Sequence, residues 1–207
     1  LGWVAFSAAY PGIALHRLLC QQPLAVLDGM IARGVNAPLS SACGRLFDAV
    51  AAAVGLCPDR VVYEGQAAML LESVTDADHM GDDAAYPFMI AGAPAQRLYL
   101  DPAPLWPALL NDVAAGVPVA VMGARFHAGL AAALARMVAA LPVTGRVALS
   151  GGVFQNKLLL EQVTRWLNAQ GLAVLTHRNV PANDGGLALG QAAVAAARLI
   201  AGDTQEK

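Results

Sequence analysis

Arg146-Val147-Ala148-Leu149-Ser150-Gly151-Gly152-Val153 is a short apolar run halted by two glycines, and the rest of the chain is read outward from it. The run is too short for a helix and is bounded by turn residues, so it predicts a buried strand. Leu159, Val163, Trp166 and Leu167 then mark one face of a helix that stops at Gly171. Leu172-Ala173-Val174-Leu175 repeats the strand signal. After a turn over Asn179 to Asn183, a last helix runs from about Gly185 to Leu199. Strand, helix, strand, loop, helix is a βαβα order, and short crossovers of this type imply a parallel sheet and an α/β fold.

Upstream, Phe126, Leu130, Leu134, Met137, Val138 and Leu141 give a further amphipathic helix. Between Ala91 and Val119, prolines at 94, 102, 104, 107 and 118 allow only short elements. Residues 72–84 carry Glu72, Asp76, Asp78, Asp82 and Asp83 and read as a solvated surface connection. A helix is expected from Ser40, capped by Ser40 or Ser41. Its apolar face is Leu46, Phe47, Val50, Ala51 and Val54, and Gly55 ends it. The first 35 residues are poorly patterned, interrupted by Pro11, Gly12 and Pro23. The expected organisation is an N-terminal remnant (1–35), a helical and irregular region (36–125), the βαβα region (126–200) and a tail (201–207).

The 207 residues suffice for a buried core. They are 57% hydrophobic and 14% charged, with mean hydropathy +0.51, which excludes a disordered chain. A net charge of −2 gives no basic surface for nucleic acid. The apolar stretches are broken by Asp112 and Arg125, and by Asp184 and Arg198, short of the roughly 20 residues a bilayer requires. Cys20, Cys43 and Cys57 form no CxxC pair, which points to buried, reduced thiols in a cytoplasmic protein. The chain opens at Leu1 without a signal-peptide pattern and is expected to be a piece of something longer.

In an open α/β sheet ligands sit beyond the carboxyl ends of the strands. Ser150-Gly151-Gly152-Val153 and Asn183-Asp184-Gly185-Gly186 both occupy that position, and both open helices. Unpaired N–H groups at a helix start attract phosphate, and glycine lets it come close. The alternative is that these glycines only make tight turns. Neither GxGxxG nor a Walker motif is present. Asp184 is either a helix cap or a metal or phosphate-site acid. Asn156 is either a ligand contact or a polar residue of the first turn. Asp48, beside Phe47, reads as solvent-facing taken alone. Glu64, after a Val61-Val62 strand, is placed either to meet a ribose hydroxyl or simply at the surface. His16, His79, His127 and His177 form no metal pair, and no Ser-His-Asp arrangement is indicated, so no catalytic residue is assigned.

Taken together, five runs resemble the HypF family, carbamoyltransferases of NiFe-hydrogenase maturation. They are Asn36-Ala37-Pro38-Leu39-Ser40-Ser41, Gly44-Arg45-Leu46-Phe47-Asp48-Ala49-Val50-Ala51, Tyr63-Glu64-Gly65-Gln66-Ala67-Ala68, Leu149 to Asn156, and Pro181 to Gln191. The resemblance covers residues 30–200 and implies a C-terminal, TsaD-like portion of the actin-like/Hsp70-like ATPase fold (ribonuclease H-like) with helical insertions.

The resemblance further implies transfer of a carbamoyl group from carbamoyl-adenylate, made from carbamoyl phosphate and ATP, to the C-terminal cysteine of a partner, HypE. By residue, it places Gly151, Gly152 and Asn156 on the nucleotide loop, Asp48 and Glu64 at ribose, and Asp184 as ligand of a divalent metal. The family's metal-binding histidines and its acylphosphatase-like, zinc-finger and YrdC-like domains are missing from this chain. The segment is therefore expected to be inactive alone. The alternatives are a TsaD-like tRNA threonylcarbamoyl transferase, an antibiotic O-carbamoyltransferase, and a non-catalytic nucleotide-binding or docking module.

Overall fold

The computed structural model describes residues 3–81, 84–92, 97–142 and 145–202. Among them, helices α1 (Trp3–Ala9), α2 (Ala14–Cys20) and α3 (Leu24–Arg33) precede α4 (Cys43–Ala53) and α5 (Gln66–Val74). Strands β1 (Met89–Ala91) and β2 (Tyr99–Asp101) form an antiparallel hairpin, followed by α6 (Leu105–Ala114) and α7 (Val119–Ala139). The βαβα segment comprises β3 (Arg146–Ala148), α8 (Lys157–Ala169), β4 (Ala173–Leu175) and α9 (Leu187–Ile200). β3 pairs parallel with β4 in the register Arg146↔Ala173, Val147↔Val174, Ala148↔Leu175, as the strand–helix–strand order predicts.

The core lies where α4, α5, α7 and α8 meet, around Phe47, Leu71, Phe126, Leu159 and Leu167. α8 lays its Leu159, Val163 and Leu167 stripe against alanine-rich α7. Gly129 sits within α7 because a Cβ there would collide with the backbone carbonyl of Tyr86, which crosses the helix at that point. Asp112 of α6 accepts from the Tyr86 hydroxyl at 2.7 Å and pairs with Arg125 of α7, which ties those elements together.

Several expectations are corrected. The poorly patterned N-terminal 35 residues hold three helices, of which α1 and α2 pack through an aromatic cluster: Trp3 stacks on His16 at 5.6 Å, beside buried Phe6 and Tyr10. α4 starts at Cys43 with no side-chain cap, and Ser40 Oγ accepts from Ala42 N–H instead. Its apolar face and its stop at Gly55 are as expected, with Leu56 N–H closing onto Ala51 O. Val61 and Val62 are exposed and form no strand, because no partner strand reaches them. Val62 N–H bonds to the Gln66 side chain. α7 begins at Val119, ahead of Phe126, since Pro118 is compatible with a helix start.

Glu72 belongs to α5 and is not part of a surface connection, whereas Asp76 caps the short 3-10 turn Ala77–His79. Asp82, Asp83, Pro94 and most of the 201–207 tail lie outside the described residues. The three cysteines are unpaired, but Cys20 is exposed and only Cys43 and Cys57 are partly buried. Among the described residues no helix is long and apolar enough to cross a membrane.

Candidate functional site

Hydrogen bonding between β3 and β4 continues past the strand ends. Leu149 N–H donates to Leu175 O at 2.9 Å, and Gly151 N–H donates to Ala182 O at 2.9 Å. The second bond joins the two glycine loops directly. Asn183 Nδ2 donates to Gln155 Oε1 at 3.4 Å, and His177 Nε2 lies 3.0 Å from Ser150 Oγ. Gly151 holds φ +105° and ψ 154°, a backbone state that only glycine adopts without strain.

The start of α8 behind this loop is closed, contrary to the expectation of a helix end open to phosphate. Lys157 and Leu158 N–H donate to Glu72 Oε1 at 2.6 and 3.4 Å. Leu159 N–H donates to Asn156 Oδ1 at 2.8 Å, and Asn156 N–H to the Val153 carbonyl at 3.1 Å. All four orphan amides of the helix start thus have protein acceptors. The open donors lie in the loop itself: the N–H groups of Gly152 and Val153, at the head of the 3-10 turn Gly152–Gln155, have no acceptor among the described residues.

Asn156, expected on the ligand side of the loop, stands behind it. It is buried, and because its amide faces a donor at Leu159, the oxygen must be on that side. Its Nδ2 then donates to His127 Nε2 at 2.9 Å, so Nε2 is an acceptor and the ring proton sits on Nδ1, donating to Gly123 O at 2.8 Å. His127 is fully buried against Phe47 and Phe126, and burial holds its pKa below the usual imidazole value.

Asn183, not Asp184, caps the last 3-10 turn: its Oδ1 accepts from Gly185 N–H at 3.1 Å. Asp184 is left exposed, and its side chain makes no hydrogen bond or ion pair among the described residues. Asp48 is half-buried on α4, 3.6 Å from Arg45, and α4 packs against the Gly152–Gln155 turn. Glu64 lies on the exposed turn before α5. The structure therefore gathers the loop glycines, Asp184 and the helix bearing Asp48, with Asn156 in support.

A cavity of about 170 Å³ lies between the loops, lined by Leu149, Phe154, Thr176, His177 and Pro181. Ligand pockets for small molecules are roughly 300–1,000 Å³, so the notch is smaller than a whole ligand site, and neither Gly151, Gly152 nor Asp184 lines it. No group of three His, Cys, Asp or Glu side chains converges among the described residues. Among the described residues Asp184 offers a metal one ligand at most, whereas a resident metal needs several.

Glu72 and His127 are contributors that the sequence reading missed. Glu72 sits within an acidic stretch, and His127 sits on an apolar helix with no partner in sequence. The available signal was Asn156 itself, a cap residue directly before the Leu158-Leu159-Leu160 run.

A family model described as carbamoyltransferase, Kae1-like domain, second subdomain matches residues 6–191, and the chain belongs to that family. It is 45% identical over 201 residues to carbamoyltransferase HypF of Rhodobacter capsulatus, covering 95% of this chain and 25% of that protein. It is 38% identical to carbamoyltransferase HypF of Rhizobium leguminosarum bv. viciae, covering 82% of this chain and 21% of that protein. The crystal structure of full-length HypF in the phosphate- and nucleotide-bound form superimposes with TM-score 0.75 at 32% identity, covering 92% of this chain and 25% of that one. The chain spans about a quarter of the length of these relatives. Its α/β fold is that of the Kae1-like subdomain.

Proposed function

We propose that this chain is the nucleotide-contacting half of a carbamoyl-transfer site in a longer carbamoyltransferase. The observation that carries the reading is the Gly151 N–H to Ala182 O bond, which sets the two glycine loops side by side at the carboxyl ends of parallel strands. The relative with the same fold is nucleotide-bound, which supports an adenylate as ligand. The amides of Gly152 and Val153 receive the phosphate. Asp48 and Glu64 meet the ribose. Asn156 fixes the loop from behind and makes no direct contact.

In the transfer step, the thiolate of the C-terminal cysteine of HypE attacks the carbamoyl carbon. A C–S bond forms, the C–O bond to phosphate breaks, and AMP leaves with the electron pair. This chain's part is to position the phosphate and stabilise the charge that builds on its oxygens. A divalent metal at Asp184 would draw its remaining ligands from outside this chain.

The test is carbamoyl transfer by the full-length protein carrying Asp184→Ala. An exposed residue without partners is dispensable for folding, so the melting temperature stays within the narrow range of surface substitutions. Transfer is expected to fall about a hundredfold, because the carboxylate would be one ligand of the metal that would stabilise the charge on the phosphate. Undiminished transfer would refute the assignment and leave a docking module.

A further inference from the structure

Tyrosines aside, the buried polar side chains among the described residues are His127 and Asn156, and they bond to each other at 2.9 Å. Apolar side chains would fill that volume without a desolvation penalty. Capping α8 does not require the pair either, since serine or aspartate caps a helix with no buried partner. What a fully satisfied buried pair adds is a single fixed arrangement of the groups around it. We propose that His127 is a positioning residue for the phosphate, holding through Asn156 the turn that carries the Gly152 and Val153 amides.

The turn is suspended from two points. Gly151 N–H bonds to Ala182 O at its start, and Asn156 N–H closes onto Val153 O at its end. Between them the Gly152 and Val153 amides have no acceptor among the described residues. Asn156 both ends the turn and begins α8, and its side chain anchors the junction: Oδ1 accepts from Leu159 N–H, while Nδ2 reaches His127. His127 is itself held fast. Its Nδ1 bonds to Gly123 O at 2.8 Å, and the rings of Phe47 and Phe126 meet it edge-on at 5.4 and 5.6 Å. Phe47 precedes Asp48 on α4, so one imidazole touches both the helix bearing the proposed ribose carboxylate and the anchor of the phosphate loop. If Nε2 is removed, Asn156 Nδ2 is left buried without a partner, and that penalty is relieved only when the side chain turns away and the end of the turn moves with it.

His127 has this role only if the loop takes a phosphate, so it rests on the nucleotide reading. The test is hydrogen exchange of the full-length protein by mass spectrometry, read at residues 150–156 over a titration with ADP. In the native protein ADP slows exchange there. His127→Leu, which removes the acceptor, is expected to raise the ADP concentration for half-protection about tenfold, the order of one buried hydrogen bond. His127→Gln offers one acceptor and one donor, as the neutral ring does, and should restore half-protection to within about twofold of native. Asn156→Ser keeps a cap for α8 but loses the link to His127, so it should match His127→Leu while exchange in residues 157–169 stays native. That variant decides the matter even if His127→Leu fails to fold. Native half-protection in Asn156→Ser, or a glutamine variant as weak as the leucine one, would overturn the positioning role and leave the nucleotide site standing. No protection of residues 150–156 by ADP in the native protein would instead sink the nucleotide site, and the role of His127 with it.

Discussion

Protonating His127 would place an N–H where Asn156 already presents one. The unfolded imidazole titrates near 6.5, whereas burial lowers the folded value, so as pH falls the unfolded chain takes the proton first. The stability this group contributes is whole above about pH 6.5 and is lost as pH falls toward the folded pKa. His127→Gln keeps an acceptor for Asn156 but does not titrate. Urea unfolding at about pH 7.5 and 5.5 should therefore show a larger acid loss for the native chain than for the variant. Asn156→Ala strands Leu159 N–H and His127 Nε2 together, and the expected cost is about 1–3 kcal/mol at neutral pH. None of this was visible as chemistry in the sequence. Asn156 was singled out for its place after the glycines, but its partner is a histidine 29 positions earlier on another helix.

At the scale of elements, α8 is held at its start by a carboxylate from α5. Glu72→Ala removes acceptors from the first two amides of α8 and should cost about 1–2 kcal/mol, in the range of a lost helix cap and measurable by thermal unfolding. Glu72→Gln should lose less, since an amide oxygen still accepts. Gly129→Ala tests a different contact: the added methyl meets the carbonyl of Tyr86, so destabilisation of about 1–3 kcal/mol or more is expected. The βαβα segment was legible because its periods are local: an apolar triplet, a stripe of Leu159, Val163 and Leu167, and stops at Gly151 and Gly171. Helices α1 and α2 were not, because their order comes from Trp3, Phe6 and Tyr10 meeting one another and α6 in space. The cap by Glu72 was equally hidden, lying 85 positions from the amide it serves.

Over the whole molecule, the core is gathered among α4, α5, α7 and α8, whereas every residue of α9 is exposed. Its geometry makes it a lever. Fourteen residues span about 21 Å, so a swing of about 5° at the Asp184–Gly186 fulcrum carries the far end through roughly 2 Å. Motion imposed on the tip returns to the root greatly reduced, and the chain just before the root is tied to Gly151 by the hydrogen bond from Gly151 N–H to Ala182 O. Coarse displacement of the far end of α9 is thereby geared down to sub-ångström adjustments beside the two glycine loops.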